Sequence, residues 1–300
     1  MRAVTMDRYG GLEVLALSEQ PQPVPQSGET LVEIKASAVN PADGKWRAGM
    51  FADAIPLQFP HILGYDVAGV AAGGDGFTIG ARVVGMLDPM IKGGYAEYVA
   101  VSTDRLTTMP DGLSFERAAS IPTAGMTGVQ LAEIAVDAQP GQTILLTGAV
   151  GAVGRFALYA LKKRGARIVA AVRSGQKPQA IALGANVAIA LGEGRWSGEA
   201  FDHVIDTVGG PAVAELCRHL KPGGKIATAA TTPIDPEGLA ATPEFYGVVS
   251  DKDRLADLLK AVAAGEIEVP IARTMPLEEA AEAQRLTDSG GAGGKIVLIP

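Results

Sequence analysis

The sequence predicts an α/β protein in two parts, an antiparallel β domain of barrel type and a parallel sheet flanked by helices. Three observations carry this reading. The first hundred residues are short strand-like runs separated by Gly, Pro and Asp clusters, the texture of an antiparallel barrel or sandwich. From "GQTILLTG" onward, short apolar runs alternate with stretches of helical spacing, which implies a parallel sheet covered on both faces. The chain has 300 residues, 47% apolar and 20% charged, so it can bury a large core in one large or two medium domains.

The early strands are expected at "RAVTM", "EVLALSE", "TLVEIKASAV", "YDVAGVAA", "ARVVGML" and "YAEYVAV". The later ones are "TILLT", "RIVAAV", "VAIAL", "HVIDTV" and "KIATAA", apolar throughout as strands buried on both faces should be. Between them, "GRFALYALKKRG" and "PAVAELCRHLKPGG" carry helical spacing. The tail "LEEAAEAQRLTDSGGAGGKIVLIP" reads as a helix, a glycine turn and a last strand that does not extend the alternating series. Such a strand would return to the first domain and make it discontinuous.

A formal charge of −7 argues against nucleic acid or an anionic membrane as the main partner. The single cysteine, Cys217, can form neither an internal disulfide nor a multi-thiolate metal site, and its helical surroundings make it a small core residue. The N-terminal residues lack the apolar run of a signal peptide, and no stretch approaches the ~18 apolar residues of a membrane span. A cytoplasmic protein is expected.

The most informative segment is "TGAVGAVG" at 147–154. A buried strand, "TILLT", precedes it, and an amphipathic helix with apolar Val153, Phe156, Ala157, Ala160 and Leu161 follows. Glycines between a strand and a helix permit a tight turn and close approach of a pyrophosphate, while the helix N-terminus offers free N–H groups. The expected contacts are Gly148, Val150, Gly151, Ala152, Val153 and Gly154. The spacing is G-x-x-G-x-x-G rather than G-x-G-x-x-G, so glycines serving only helix–sheet packing are the competing reading. An NAD site normally carries an acidic residue at the end of the second strand, for the ribose 2′-OH. Here "RIVAAV" runs into Arg173, Ser174, Gly175, Gln176 and Lys177. Arg173, Ser174 and Lys177 suit a 2′-phosphate, so NADPH is the expected cofactor; the alternative is a plain solvated turn.

With these residues in place, the chain resembles the medium-chain dehydrogenase/reductase superfamily, in its zinc-less quinone oxidoreductase and enone reductase branch. The resemblance runs through "YGGLEVLAL", "VEIKASAVNPADGKWRAG", "LGYDVAGV", "GGYAEYV", "IPTAGMTG", the glycine turn, "FDHVIDTVGG", "LKPGGKIAT" and "GGKIVLIP". It implies a GroES-like antiparallel β-barrel catalytic domain over 1–118 and 266–300, a Rossmann-type NADPH-binding domain over 119–265, and a homodimer. In zinc-dependent members the metal ligands fall at positions that here hold Asn40, Tyr65 and Thr123, none a competent zinc ligand. No metal is expected. The resemblance further places Asn40 beside the nicotinamide and Tyr65 as a hydroxyl donor to the substrate oxygen. Lys45 would add positive potential. Thr127, Thr207, Val208 and Gly209 would lie near the nicotinamide or its ribose, and Ala229, Ala230 and Thr231 near the carboxamide. Gly294 and Lys295 would close over the cofactor, and Asp206 would cap a strand end. Bacterial quinone reductases carry tyrosines where this chain has Lys45 and Phe51, which sets it apart from them.

Loss of the zinc ligands bears on the chemistry. Reducing a ketone leaves alkoxide charge on one oxygen, which calls for a Lewis acid or a strong proton donor. Hydride addition to an enone or a quinone leaves a delocalised anion that hydrogen-bond donors can hold. An NADPH-dependent reductase of a quinone or an activated C=C bond is the expected function. A non-catalytic NADPH-binding redox sensor and an alcohol dehydrogenase are the alternatives.

Overall fold

Strands form where β-branched and apolar residues recur in the N-terminal third: β1 (Arg2–Met6), β2 (Ala16–Glu19), β3 (Glu29–Val39), β4 (His61–Ile62), β5 (Asp66–Gly74), β6 (Arg82–Met86), β7 (Tyr98–Ser102) and β8 (Leu106–Thr108). Three helices interrupt or follow them, α1 (Pro41–Arg47), α2 (Phe115–Ala119) and α3 (Pro122–Gln130). The parallel strands come next: β9 (Thr143–Thr147), β10 (Arg167–Val172), β11 (Val187–Ala190), β12 (His203–Asp206), β13 (Ile226–Thr228) and β14 (Pro243–Phe245). They are joined by α4 (Ala152–Lys163), α5 (Lys177–Leu183) and α6 (Pro211–Cys217). The tail adds α7 (Lys252–Ala263), β15 (Ile271–Pro276), α8 (Ala280–Asp288) and β16 (Lys295–Ile299). This computed structural model describes residues 1–91, 93–194 and 196–300.

The chain divides into two units, Met1–Thr123 with Ser250–Pro300, and Ala124–Val249. In the first unit, β15, β16, β3, β5, β6 and β8 lie side by side in that order, with β7 also pairing to β3. The long β3 pairs with β5 along one edge and, on the other, with β7 at its start and β16 at its end, all antiparallel. The last strand of the chain thus returns to the first unit. A second sheet, β2-β1-β4, carries antiparallel pairs only. These antiparallel sheets are the β domain expected from the sequence, and the isolated bridge between Ala3 and Ala96 links them; no closed ring of strand pairing is present among the described residues, and the larger sheet stops at the three-residue β8. Two cores fill this unit. One gathers Val32, Ile34, Val67, Val83, Val99 and Leu106, and the other Met6, Val39, Trp46, Ile62, Leu277 and Leu298.

In the second unit, β11, β10, β9, β12, β13 and β14 form one wholly parallel sheet in that order. All five residues of β9 are buried, as a central strand with helices on both faces requires. The helix α4 buries Phe156, Ala157, Ala160 and Leu161, the apolar stripe read from its spacing.

Unit bounds and sequence bounds differ most at α7, which the sequence grouped with the Rossmann part. It belongs to the first unit because it packs on β8 and because the Arg117 guanidinium donates to the Val262 carbonyl at 3.4 Å. Among the described residues, no helix is long and apolar enough to cross a membrane.

Candidate functional site

The glycine turn of the second unit has the shape its spacing suggests. Gly148 sits at φ +65°, a conformation that favours glycine, and its N–H reaches the Ala171 carbonyl at 2.9 Å. A β-carbon on Gly154 would come within 2.2 Å of the Gly148 carbonyl oxygen, so only glycine lets the first turn of α4 close over the end of β9. Gly151 differs: an added β-carbon there would meet only that same oxygen, at 3.2 Å. It is exposed and forms the N-cap of α4, where no side chain caps the helix. The turn thus has one open face, at a twelve-residue helix whose first N–H groups point outward with the positive end of the helix dipole. These are the requirements of a pyrophosphate seat, and Val150, Ala152 and Val153 flank it half-buried.

At the end of β10, Arg173, Ser174 and Lys177 are all exposed. The Arg173 side chain donates to Gln176 at 3.3 Å, and Lys177 opens α5. No carboxylate occurs from Arg167 to Gly192, so nothing in this segment repels a second phosphate.

Deeper in the same unit, the ends of β9, β12 and β13 are tied through Asp206. Its carboxylate accepts from the Thr147 and Thr228 hydroxyls, each at 2.6 Å, and from the N–H groups of Val208 and Gly209 at 3.0 Å. Asp206 therefore caps a strand end. Thr207 donates from its own N–H to the Thr147 hydroxyl and from its hydroxyl to the Thr147 carbonyl, both at 2.9 Å. Ala229, Ala230 and Thr231 continue from β13, and Thr127 lies buried on α3.

The first unit holds the other site residues in a buried polar cluster. Asn40 follows β3 and is the N-cap of α1, and it is 4% exposed. Its amide nitrogen donates to Asp66 at 3.0 Å, while its amide oxygen accepts from the Lys295 ammonium at 2.5 Å. A carboxylate only accepts and an ammonium only donates, so the amide has one orientation. Asp66 also accepts from the Thr123 N–H (2.9 Å) and hydroxyl (2.6 Å), and Lys295 donates to the Val39 carbonyl at 3.1 Å. Asp43, the third residue after Asn40, accepts from the Asn40 N–H at 2.7 Å and from the Tyr95 hydroxyl at 2.9 Å.

Burial sets the electrostatics. It pushes the Asp43 carboxyl up to about 7, against the Asn40 and Tyr95 hydrogen bonds that favour its charged form. It raises Asp66 and lowers Lys295, in each case opposed by the attraction between them. The Tyr65 phenol is also raised by burial, then by Asp43, Asp66 and Asp88, and so stays neutral. Its hydroxyl makes no hydrogen bond among the described residues. Tyr65 lines a small pocket with Trp46, His61, Leu63, Pro89 and Ile91. Lys45, half-buried on α1, is lowered by burial and partly held up by Asp288.

The structure thus brings Asn40 and Lys295 into contact, leaves Tyr65 at a separate cavity wall, and faces Lys45 toward α8. Gly294 lies just before β16, where a β-carbon would meet the Pro270 carbonyl at 2.5 Å. Sequence reasoning missed Asp43, Asp66 and Tyr95. The pattern Asn-x-x-Asp at a helix start was the available signal for Asp43.

The positions corresponding to zinc ligands do not suit zinc. The Asn40 oxygen already faces an ammonium, the Thr123 hydroxyl donates to Asp66, and Tyr65 is a neutral phenol. Among the described residues, no group of three His, Cys, Asp or Glu side chains could hold a metal ion.

Residues 26–111 match the family model described as alcohol dehydrogenase GroES-like domain, and residues 183–298 the one described as zinc-binding dehydrogenase. The quinone-oxidoreductase QR1 of Triphysaria versicolor is 31% identical over the whole chain and 98% of its own length. The NADPH-dependent alkenal/one oxidoreductase of Arabidopsis thaliana is 29% identical over the whole chain and 80% of its own. Among solved structures, the quinone oxidoreductase from Coxiella burnetii superposes with a TM-score of 0.90, at 28% identity, over 100% of this chain and 99% of that one. The chain belongs to the quinone and enone oxidoreductase branch of the medium-chain dehydrogenase/reductase superfamily. As a member of this branch it is an oxidoreductase of the quinone/enone type, with a nicotinamide cofactor.

Proposed function

We propose that this oxidoreductase uses NADPH to reduce a quinone or the C=C bond of an enone or enal, without a bound metal. The observation that carries the proposal is the end of β10, where Arg173, Ser174 and Lys177 stand exposed at the place an NAD-specific site would hold a carboxylate. The glycine turn seats the pyrophosphate on the N–H groups of α4, with Gly148 and Gly154 shaping the seat and Gly151 leaving it open. Arg173 and Lys177 bind the 2′-phosphate by charge-assisted hydrogen bonds, and Ser174 adds a hydroxyl. Thr127, Thr207, Val208, Gly209, Ala229, Ala230 and Thr231 contact the nicotinamide end. When bound, the dinucleotide supplies a hydride.

In the first unit, Tyr65 offers to the substrate oxygen that gains charge a neutral hydroxyl that bonds to no other group among the described residues. A phenol held neutral at all working pH values donates a hydrogen bond without becoming a competing anion. Asn40, held by Lys295 in the buried cluster of the same unit, stands beside the nicotinamide, and Lys45 contributes positive potential. Because the charge left by hydride addition spreads over a conjugated system, such donors are enough and a Lewis acid is not needed. A homodimer and a cytoplasmic location complete the reading.

The test is NADPH oxidation by the purified protein with quinones, enones, enals and simple ketones, each repeated with a chelator. Turnover of quinones or enones that a chelator leaves unchanged supports the proposal. Turnover of ketones alone, abolished by chelator, overturns it.

A further inference from the structure

Asp206 is fully buried at the C-terminal end of β12, beside the point where the strand order of the parallel sheet reverses. Open α/β sheets bind their ligands at such a reversal. The carboxylate forms no ion pair among the described residues. It accepts four neutral donors: the Thr147 and Thr228 hydroxyls and the N–H groups of Val208 and Gly209. Through these bonds one side chain reaches three backbone segments. Thr147 immediately precedes the glycine turn. Val208 and Gly209 form the turn that leaves β12, with Gly209 at φ +75°. Thr228 ends β13, and its hydroxyl accepts in turn the Ala230 N–H at 2.9 Å, while the Ala229 N–H donates to the Asp206 carbonyl at 2.9 Å.

A carboxylate is acceptor-only, so the direction of every donor around it is fixed. A hydroxyl or amide at this position would donate one bond itself and leave at least one partner facing a donor. Tying three strand ends for stability alone needs the two hydroxyls. It does not account for the additional capture of two consecutive N–H groups in the turn that follows. Directing those two groups into the sheet turns the rest of residues 207–209 the opposite way, and the Thr228 relay does the same for 229–230.

We propose that Asp206, seconded by Thr147 and Thr228, is the positioning residue for the nicotinamide half of the dinucleotide site: it fixes both backbone segments, 207–209 and 229–230, that hold this half. The assignment rests on the reading that a dinucleotide occupies the glycine turn. Asp206 itself touches neither cofactor nor substrate; it acts through the segments it anchors. The adenosine half, held at Arg173, Ser174 and Lys177 some thirty residues away in sequence, does not depend on it.

The experiment measures equilibrium binding of NADP+ and of 2′,5′-ADP by calorimetry, for the wild type, Asp206→Asn, Asp206→Ala and Thr228→Val, with thermal unfolding alongside. Asp206→Ala is expected to weaken NADP+ by about tenfold or more while 2′,5′-ADP stays within about twofold, the loss of hydrogen bonds to a charged group being felt at one end only. Asp206→Asn keeps an oxygen for three of the four donors and should fall between the wild type and Asp206→Ala. Thr228→Val retains the carboxylate and the strand, so it serves if Asp206→Ala does not fold; a loss of about threefold to tenfold for NADP+ alone is expected. Equal weakening of both ligands in proportion to lost thermal stability would show a merely structural role and overturn the proposal, as would unchanged NADP+ binding in all variants. A wild type that binds neither ligand overturns the cofactor reading itself, and this assignment with it.

Discussion

In the first unit, Asp66 and Lys295 are buried with a neutral amide, that of Asn40, between them. In the second, Asp206 is equally buried and, like Asp66, bonded by neutral donors, but among the described residues no buried ammonium stands behind them. Both arrangements remove a carboxylate from water, and they differ in how the cost is met. The first sets charge against charge, each dependent on the other. The second divides one charge among four donors, none of which becomes a buried ion if the carboxylate is lost. A paired charge leaves its partner stranded when removed, whereas a shared one leaves only neutral groups short of a bond. The first cluster is therefore the more fragile of the two.

The largest effect should come from breaking the ionic cluster. Lys295→Met keeps the length of the side chain but strands Asp66, and it should cost about 3–5 kcal/mol in urea unfolding. Thr147→Val, which removes one neutral donor from Asp206, should cost about 1–2 kcal/mol. If the second change costs as much as the first, the contrast between the clusters fails. Next in size is the dinucleotide end of the second unit. Replacing Arg173 and Lys177 together with Gln should weaken NADPH binding by about 1–3 kcal/mol per contact, read as a raised KM, and leave NADH nearly unchanged. Equal losses with both cofactors would show that these side chains do not read the 2′-phosphate.

A smaller effect tests the glycine turn. The Gly154→Ala β-carbon would lie 2.2 Å from the Gly148 carbonyl, whereas Gly175 has nothing within 4 Å of an added one. Gly154→Ala should destabilise by about 1–3 kcal/mol and Gly175→Ala by less than about 0.5. The most gradual effect concerns pH. Asp43 in the folded protein titrates near 7, above its ordinary 3.8, so the folded state keeps a proton that the unfolded chain has lost between those values. Stability should then fall as pH rises from 4 to 7, by at most about 1.4 kcal/mol per pH unit from this group, and level off above. The Oδ1 atom of Asp43 is buried without a partner, which a neutral carboxyl tolerates better than an ion. Asp43→Asn should make that slope shallower, leaving the contribution of Asp66, which has the same sign. An unchanged slope would mean that Asp43 is charged throughout.

These contrasts also mark what was legible in the sequence. The parallel sheet could be read because its strands are buried on both faces and therefore continuous in apolar residues, "TILLT" and "RIVAAV" above all. The glycine turn could be read because a strand and an amphipathic helix flank it. The short β4, β8 and β14 carry too few residues for any period to register. The antiparallel character of the first unit was legible too, but not how its sheets close, because local alternation says nothing of which edges meet. The buried cluster was hidden for a different reason. Asn40 directly follows β3, Asp66 and Lys295 open β5 and β16, and only the pairing of β3 with both neighbours brings them together. Lys295 was expected to close over the cofactor, on its place in the tail. At 6% exposure, its ammonium instead faces Val39 and Asn40.

The pairing of β16 with β3 has a consequence for biosynthesis. The residues of the second unit are contiguous, so all of its strands have emerged once position 249 has left the ribosome. The first unit cannot complete its sheet then, because Lys295 follows Asn40 by 255 residues. Until the final strand appears, the Asp66 carboxylate has no ammonium to answer it and that side of β3 stays open. Vectorial synthesis thus favours maturation of the nucleotide-seating half ahead of the half whose two segments embrace it in sequence.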